Sequence, residues 1–394
     1  MPNNRTGKFD LSILDNPGTV LIDDRDLEAG CGKTYLLSDP QELLVAEYPG
    51  QAPEVLERID DCLESGLFVA GYLGYEAGLA LDKAIAPRHK NSLPLAYLGV
   101  YEKCRELDSE EIDLPAEESS PELSNLRLNI KEEEYLAAIK KIKEYISAGE
   151  VYQINFTCKI FFENDGSASG LFARLRAAHP VCHSSFINMG DTRIISLSPE
   201  LFLRRVGDRI QTRPMKGTIR RGRWSGEDEK FMRQLSESEK ERAENLMIVD
   251  LMRNDLSRVC EFGSVRVNKL FSIEPYTTLF QMVSEVEGRL RGDVSLGQII
   301  RNTFPPGSVT GAPKRRAMEI IDELEPHLRG PYCGAIGLFK PGGDFTLSVA
   351  IRVLAASQGR GAFWVGGGIM WDSVPELEYE ETLIKAEAIM RALR

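Results

Sequence analysis

Runs rich in β-branched and aromatic residues, bounded by glycine or proline, stand beside long stretches of helical period, and this mixture limits what the chain can become. Strands are predicted at 151–162, 193–197, 332–340, 345–355 and 361–366, and helices at 131–148, 229–256, 312–325 and 376–393. Strands with helices segregated from them predict an α+β protein. Shorter apolar runs with glycine breaks, such as Phe68 to Tyr75, precede them. There is no internal repeat.

At 394 residues the chain is long enough for a large core. Its net charge of −12 argues against a nucleic-acid binder, which wants a basic face, and means that an anionic substrate must be drawn in by local groups. No apolar run is long enough to cross a membrane, and the first ten residues are polar, so a cytoplasmic protein is expected. Seven scattered cysteines without a CxxC pair fit a reducing compartment and argue against a zinc site. Of the four histidines (His89, His179, His183, His327), His179 and His183 share an i, i+4 spacing but have Pro180 between them and no acidic partner nearby; they read as structural. Gly32-Lys33-Thr34 imitates the end of a phosphate-binding loop, but Leu27 stands where its first glycine belongs. An acidic stretch rich in serine and proline reads as a connector over 111–126, after a region 1–110 and before a region 127–394.

Several residue groups carry possible chemistry. Lys216 lies between Pro214 and Gly217, at an apparent strand end running into a tight turn; in a partly dry site its amine would be available as a nucleophile, whereas most such lysines are surface residues. Glu241 and Glu244 are three apart and continue a stripe through Ile248, Leu251 and Met252; a solvated first turn is the competing reading. Glu378 and Glu381 repeat the spacing, with Leu377, Ile384 and Ala388 extending an apolar stripe and Lys385 one turn on. Two such pairs suit a hard divalent cation, most simply Mg²⁺. Gly366-Gly367-Gly368, at a strand end, can expose backbone N–H groups to a carboxylate. Thr310, in a rigid loop entering a helix, can cap it, and Arg352 can clamp a carboxylate or simply mark a strand edge.

Taken together, Tyr152–Thr157, Ser198-Pro199-Glu200, Pro214–Thr218, Met247–Leu256, Gly311–Lys314 and the Gly366–Thr382 stretch resemble the chorismate-binding enzymes over about the last two-thirds of the chain. The resemblance implies two orthogonally stacked, antiparallel-rich sheets with helices outside and the site in a cleft, as in anthranilate synthase component I. It makes 127–394 the catalytic region and 1–110 a region like that family's N-terminal part. It implies that Glu244 and Glu381 bind Mg²⁺ directly and Glu241 and Glu378 mainly through water. Tyr332, Arg352 and the Gly366, Gly367 and Gly368 backbone would hold substrate carboxylates, with Thr310 and Lys385 as further contacts. Glu200 would be the acid that protonates the departing C4 hydroxyl.

Within that resemblance Lys216 matches the branch that aminates chorismate at C4 on the route to p-aminobenzoate and folate, where lysine is thought to attack C2; anthranilate synthases, the alternative, carry alanine there. Isochorismate and salicylate synthases place a lysine base where this chain has Gln153, and glutamine cannot serve as that base. Gln281 stands where anthranilate synthases have histidine, and Leu21-Ile22-Asp23-Asp24 where a tryptophan-binding element has Leu-Leu-Glu-Ser. No cysteine sits in a Gly-x-Cys-x-Gly elbow, so the expected partners are chorismate and either free ammonia or a separate glutamine amidotransferase subunit, component II, with no nucleic acid or membrane.

Overall fold

The computed structural model describes residues 10–26, 31–81, 93–109, 112, 123–276 and 279–391. His89, Leu27 and most of the expected connector lie outside them. Among the described residues the strands form two ten-stranded sheets, every pairing antiparallel. The first runs Gly311–Ala312, Gln153–Asn164, Arg360–Ile369, Val353–Ser357, Arg193–Ser198, His183–Asn188, Val20–Asp26, Cys31–Leu37, Arg105–Asp108, with Leu123–Leu128 also on Gln153–Asn164. The second runs Met215–Arg220, Leu279–Arg289, Arg209–Arg213, Leu201–Val206, Phe345–Val349, Ala335–Phe339, Phe68–Leu73, Ala96–Tyr101, Glu42–Ala46, with Arg266–Pro275 on the far edge of Leu279–Arg289. Phe156, Ile187 and Ile195 of one sheet share a single core with Tyr72, Leu203 and Leu338 of the other. Each such side chain contributes about 1.5–3 kcal/mol on burial. The α+β architecture expected from the resemblance is therefore present.

The strand predicted over 345–355 is two strands in different sheets. Phe345–Val349 pairs with Leu201–Val206 in the second sheet, and Val353–Ser357 pairs with Arg193–Ser198 in the first. Residues 193–206 and 345–357 thus form one antiparallel ribbon that bends from sheet to sheet. Pro199, which lacks the N–H a ladder needs, marks one bend. Arg352, with φ +52°, marks the other. The bends are tied side by side, Val349 N–H to Glu200 O at 3.0 Å and Leu197 N–H to Arg352 O at 3.2 Å. Strands that change sheets at such corners are how crossed sheets are joined.

Two further expectations change in detail. The helix predicted over 229–256 breaks into Ser225–Glu237 and Glu239–Ser257, because the Ser238 hydroxyl accepts from the Glu241 N–H and caps the second. Lys216 is not at a strand end. It lies inside Met215–Arg220, where Met215 faces Val283 and Thr218 faces Gln281, so Lys216 and Gly217 together oppose one residue. This is a β-bulge, with Gly217 at φ +81°.

A buried ion pair fastens the first sheet to the loop that precedes Ala335–Phe339. Arg329 donates to Glu325 at 2.9 and 2.7 Å, to Val309 O at 2.9 Å and to Asn155 O at 2.5 Å. Glu325 also accepts from the Thr157 N–H and hydroxyl at 2.8 and 2.9 Å. Glu76, pushed up to about 7 by burial, receives the Arg329 and Gly330 N–H groups. Removing one partner of such a pair strands a buried charge. Glu325→Ala is therefore expected to cost about 3–5 kcal/mol, read as a fall in the urea midpoint.

Candidate active site

Where the ribbon bends, a cleft of about 460 Å³ opens, lined by Glu200, Lys216, Tyr332, Arg352, Gly366, Gly367, Gly368 and Lys385. The fold brings these eight together from positions up to 185 residues apart in sequence, counting from Glu200 to Lys385 (385 − 200). Glu200 and Arg352 arrive on the two bends. The bulge turns Lys216 inward, and its Nζ comes within 3.7 Å of where a Cβ on Gly368 would stand. The three glycines stand at the end of a strand, as expected: they lie in the last residues of Arg360–Ile369, opposite Thr157, Phe156 and Asn155. A Cβ on Gly366 would fall 2.4 Å from Phe156 O, and one on Gly368 2.2 Å from the Gln153 amide nitrogen. Side chains there are therefore excluded, and the bare backbone forms one wall. Tyr332 stacks on Trp364 at 6.2 Å and forms another.

The electrostatics centre on Lys216. Burial pushes the Glu200 carboxyl up to about 7, against Ser308, Lys216 and the Met215 backbone, which act downward. Glu200 therefore holds a proton for much of the time at neutral pH. Burial also raises the Glu244 carboxyl, Lys216 opposes that, and Glu241 adds to it. For Glu381 burial acts upward, but Lys385, Lys240 and Lys216 outweigh it and the carboxyl sits below its ordinary value. Burial lowers the Arg352 guanidinium, and among the described residues no carboxylate pairs with it or with Lys216. A desolvated guanidinium facing a cleft beside exposed backbone is a receptor for an anion.

Glu241 and Glu244 are half-buried on Glu239–Ser257, whose Ile248 and Met252 are buried. Glu378 is half-buried on Pro375–Arg391 and Glu381 is exposed, paired with Lys385 at 2.7 Å. The apolar stripe expected around Glu381 is not packed: Leu377 and Ile384 are 59% and 65% exposed. Thr382 and Ala386 are buried instead, with Tyr135 Oη 3.1 Å from the Thr382 hydroxyl; the Ala388 side chain lies outside the description. Four carboxylates without sulfur or imidazole suit a hard divalent cation, and the like charges of the half-buried Glu241 and Glu244 are what such an ion would relieve. Among the described residues no three acidic, histidine or cysteine side chains already stand at metal-binding spacing.

Thr310 is buried but points elsewhere: its hydroxyl donates to Pro306 O at 2.8 Å, and Pro313, not Thr310, stands at the cap of Lys314–Leu324. Lys314 pairs with Asp255 at 2.5 Å, which binds two quoted motifs to each other rather than to the cleft. Sequence reasoning missed Ser308, which hydrogen-bonds Glu200, and His179, read as structural but placed on the cleft wall. Neither stands in a periodic pattern that would single it out. The Leu21–Asp24 element lies away from the cleft. Asp23 is buried among Arg176, Thr34 and Ser184, and Asp24 pairs with Arg204 on the wall of a second cavity of about 420 Å³.

Glu200 also makes a stability prediction. Its folded pKa is raised, so its contribution is fully present below the ordinary carboxylate value and is lost as pH rises through about 7. Glu200→Gln, uncharged throughout, is expected to gain roughly 1–3 kcal/mol on the parent between pH 4.5 and 7.5, measured by urea unfolding at each pH. Glu76 shares this window in both proteins and cancels in the difference.

Residues 24–391 match the family described as chorismate binding enzyme. The chain is similar to aminodeoxychorismate synthase component 1 of Klebsiella aerogenes, 44% identical over 268 residues, covering 68% of this chain and 59% of that protein. It is also similar to anthranilate synthase component 1 of Aquifex aeolicus, 41% identical over 277 residues, covering 70% and 56%. The matched stretch thus spans less than two-thirds of these relatives' own length. Among solved structures, anthranilate synthase component I from Streptococcus pneumoniae TIGR4 superposes with a TM-score of 0.80 at 26% identity, covering 91% of this chain and 92% of that one. The menaquinone-specific isochorismate synthase of Escherichia coli shares the fold, with a TM-score of 0.78 at 16% identity and 100% and 94% coverage.

Proposed function

We propose that this chain, which belongs to the family of chorismate-binding enzymes, is an aminodeoxychorismate synthase component I, a transferase that aminates chorismate at C4. The observation that carries the reading is Lys216, delivered into the cleft by a bulge, close enough to bias the Glu200 carboxyl and free of any carboxylate partner among the described residues. Arg352, Tyr332 and the Gly366–Gly368 backbone hold the substrate carboxylates, and Lys385 closes the same wall through its bond to Gly366 O at 3.0 Å. Glu244 and Glu381, with Glu241 and Glu378, would hold Mg²⁺, which supplies positive charge for a substrate carboxylate.

In this reading the lone pair of the Lys216 amine forms a bond to C2, the ring double bonds shift, and the C4–O bond breaks while Glu200 passes its proton to the hydroxyl, which leaves as water. Ammonia then bonds C4, the double bonds return, the C2–N bond breaks to free the Lys216 amine, and the new C4 ammonium returns a proton to the Glu200 carboxylate. The nitrogen comes from solution or from a glutaminase subunit. Gln153, 1% exposed and pressed on Gly368, supplies no base for water attack at C2. The product feeds p-aminobenzoate and folate in a cytoplasmic setting.

The Aquifex aeolicus relative favours a second reading, anthranilate synthase component I, at nearly the same identity. Product analysis separates the two: chorismate, Mg²⁺ and an ammonium salt should yield 4-amino-4-deoxychorismate with and without a glutaminase, and release of fluorescent anthranilate would overturn the first reading. Lys216→Ala should lose turnover without losing its fold; a variant as fast as the parent would exclude the lysine adduct. Glu200→Gln should fall by about 10²–10⁴-fold in kcat.

A further inference from the structure

Ser284 is fully buried on Leu279–Arg289, at a gap in the ladder on both edges of that strand. On one edge the partner strands part around Pro214, and the Ser284 N–H reaches Pro214 O at 3.1 Å, two residues before Lys216. On the other edge Lys269 faces Glu285 and Ser272 faces Val283, so Leu270 and Phe271 bulge opposite Ser284. The Phe271 N–H, at φ +59°, donates to the Ser284 hydroxyl at 3.1 Å. That hydroxyl in turn donates to Asn245 Oδ1 at 2.5 Å. Asn245 is fully buried on Glu239–Ser257, next to Glu244. Ser284 therefore joins the strand path that carries Lys216 to the helix that carries Glu241 and Glu244.

Two observations argue that this link does more than fill space. Asn245 keeps its Nδ2 buried without a partner among the described residues, a cost that an apolar side chain of similar size would avoid. The helix also stands against the Lys216 bulge with no slack, since a Cβ on Gly217 would lie 2.9 Å from Glu241 Oε2 and 3.1 Å from Glu241 Cβ. A helix free to slide could bring Glu244 onto Lys216, and the resulting ion pair would withdraw Lys216 from the cleft it lines.

We propose that Ser284 and Asn245 are positioning residues, whose buried hydrogen bond sets the spacing between Lys216 and the Glu241–Glu244 pair. The proposal rests on the reading above, in which those groups share one site. Ser284→Ala, Asn245→Leu and the double variant test it, with folding checked by circular dichroism and urea midpoint. The first readout is titration with Mg²⁺ alone, followed by tryptophan fluorescence or calorimetry without substrate. The second is kcat and KM for chorismate with ammonium.

Each single variant is expected to weaken the Mg²⁺ midpoint three- to tenfold and to lower kcat at least tenfold, with KM within twofold. The double variant should be no worse than the worse single, because both remove one link. Unchanged Mg²⁺ midpoints with kcat lost only in proportion to unfolded protein, or fully additive losses, would overturn the proposal. If the parent itself does not turn over chorismate, the assigned reaction falls. The Mg²⁺ titration then decides alone: weakened midpoints support the positioning role and equal midpoints overturn it.

Discussion

The bent ribbon formed by residues 193–206 and 345–357 is the constraint on which the rest of the site depends. An antiparallel pair that belongs to two sheets must turn a corner in both strands at once, and a corner breaks the regular ladder. Backbone groups released there need new partners. The structure meets that need by bonding each bend to the ribbon's other strand, through Glu200 O and Arg352 O. One consequence is chemical. The residues at the corners point neither into the core between the sheets nor out to solvent, but into the cleft that the corner creates. Glu200 and Arg352, one an acid and the other a base, are brought to the cleft for the same geometric reason.

Around that corner the protein builds a local field unlike its global one. A chain of net charge −12 presents the cleft with Lys216, Lys385 and an Arg352 that has no carboxylate partner among the described residues. Low polarity around them magnifies each interaction, so Lys216 acts on Glu200, Glu244 and Glu381 together. Behind the wall, the Glu325–Arg329 pair satisfies carbonyls of Asn155 and Val309 that would otherwise be strained or orphaned. These bonds tie the strand Gln153–Asn164 to the loop behind the cleft.

The fold class and most elements were legible because period and punctuation are local. The helices 131–148, 312–325 and 376–393 lie within a few residues of those observed. Errors fell where a local signal is silent. A continuous apolar run over 345–355 cannot announce that its two halves enter different sheets. The exposed Leu377 and Ile384 look like a core stripe, because periodicity reports a face and not what covers it. Ser308 and His179 join the cleft only through tertiary contact.

By itself the sequence determined the residue types available to the site: a lysine with an amine to offer, two spaced carboxylate pairs, and glycines that leave one wall without side chains. Those are properties of side-chain chemistry, and they survive without any knowledge of position. Tertiary structure decided which of them meet. It moved Lys216 from a presumed turn to a β-bulge, set Gly366–Gly368 against Thr157, Phe156 and Asn155 of a distant strand, and turned Thr310 back on its own loop. The reason is that a bulge, a sheet-to-sheet corner and a buried hydrogen bond are all fixed by pairings between distant strands, which no local window of the chain contains.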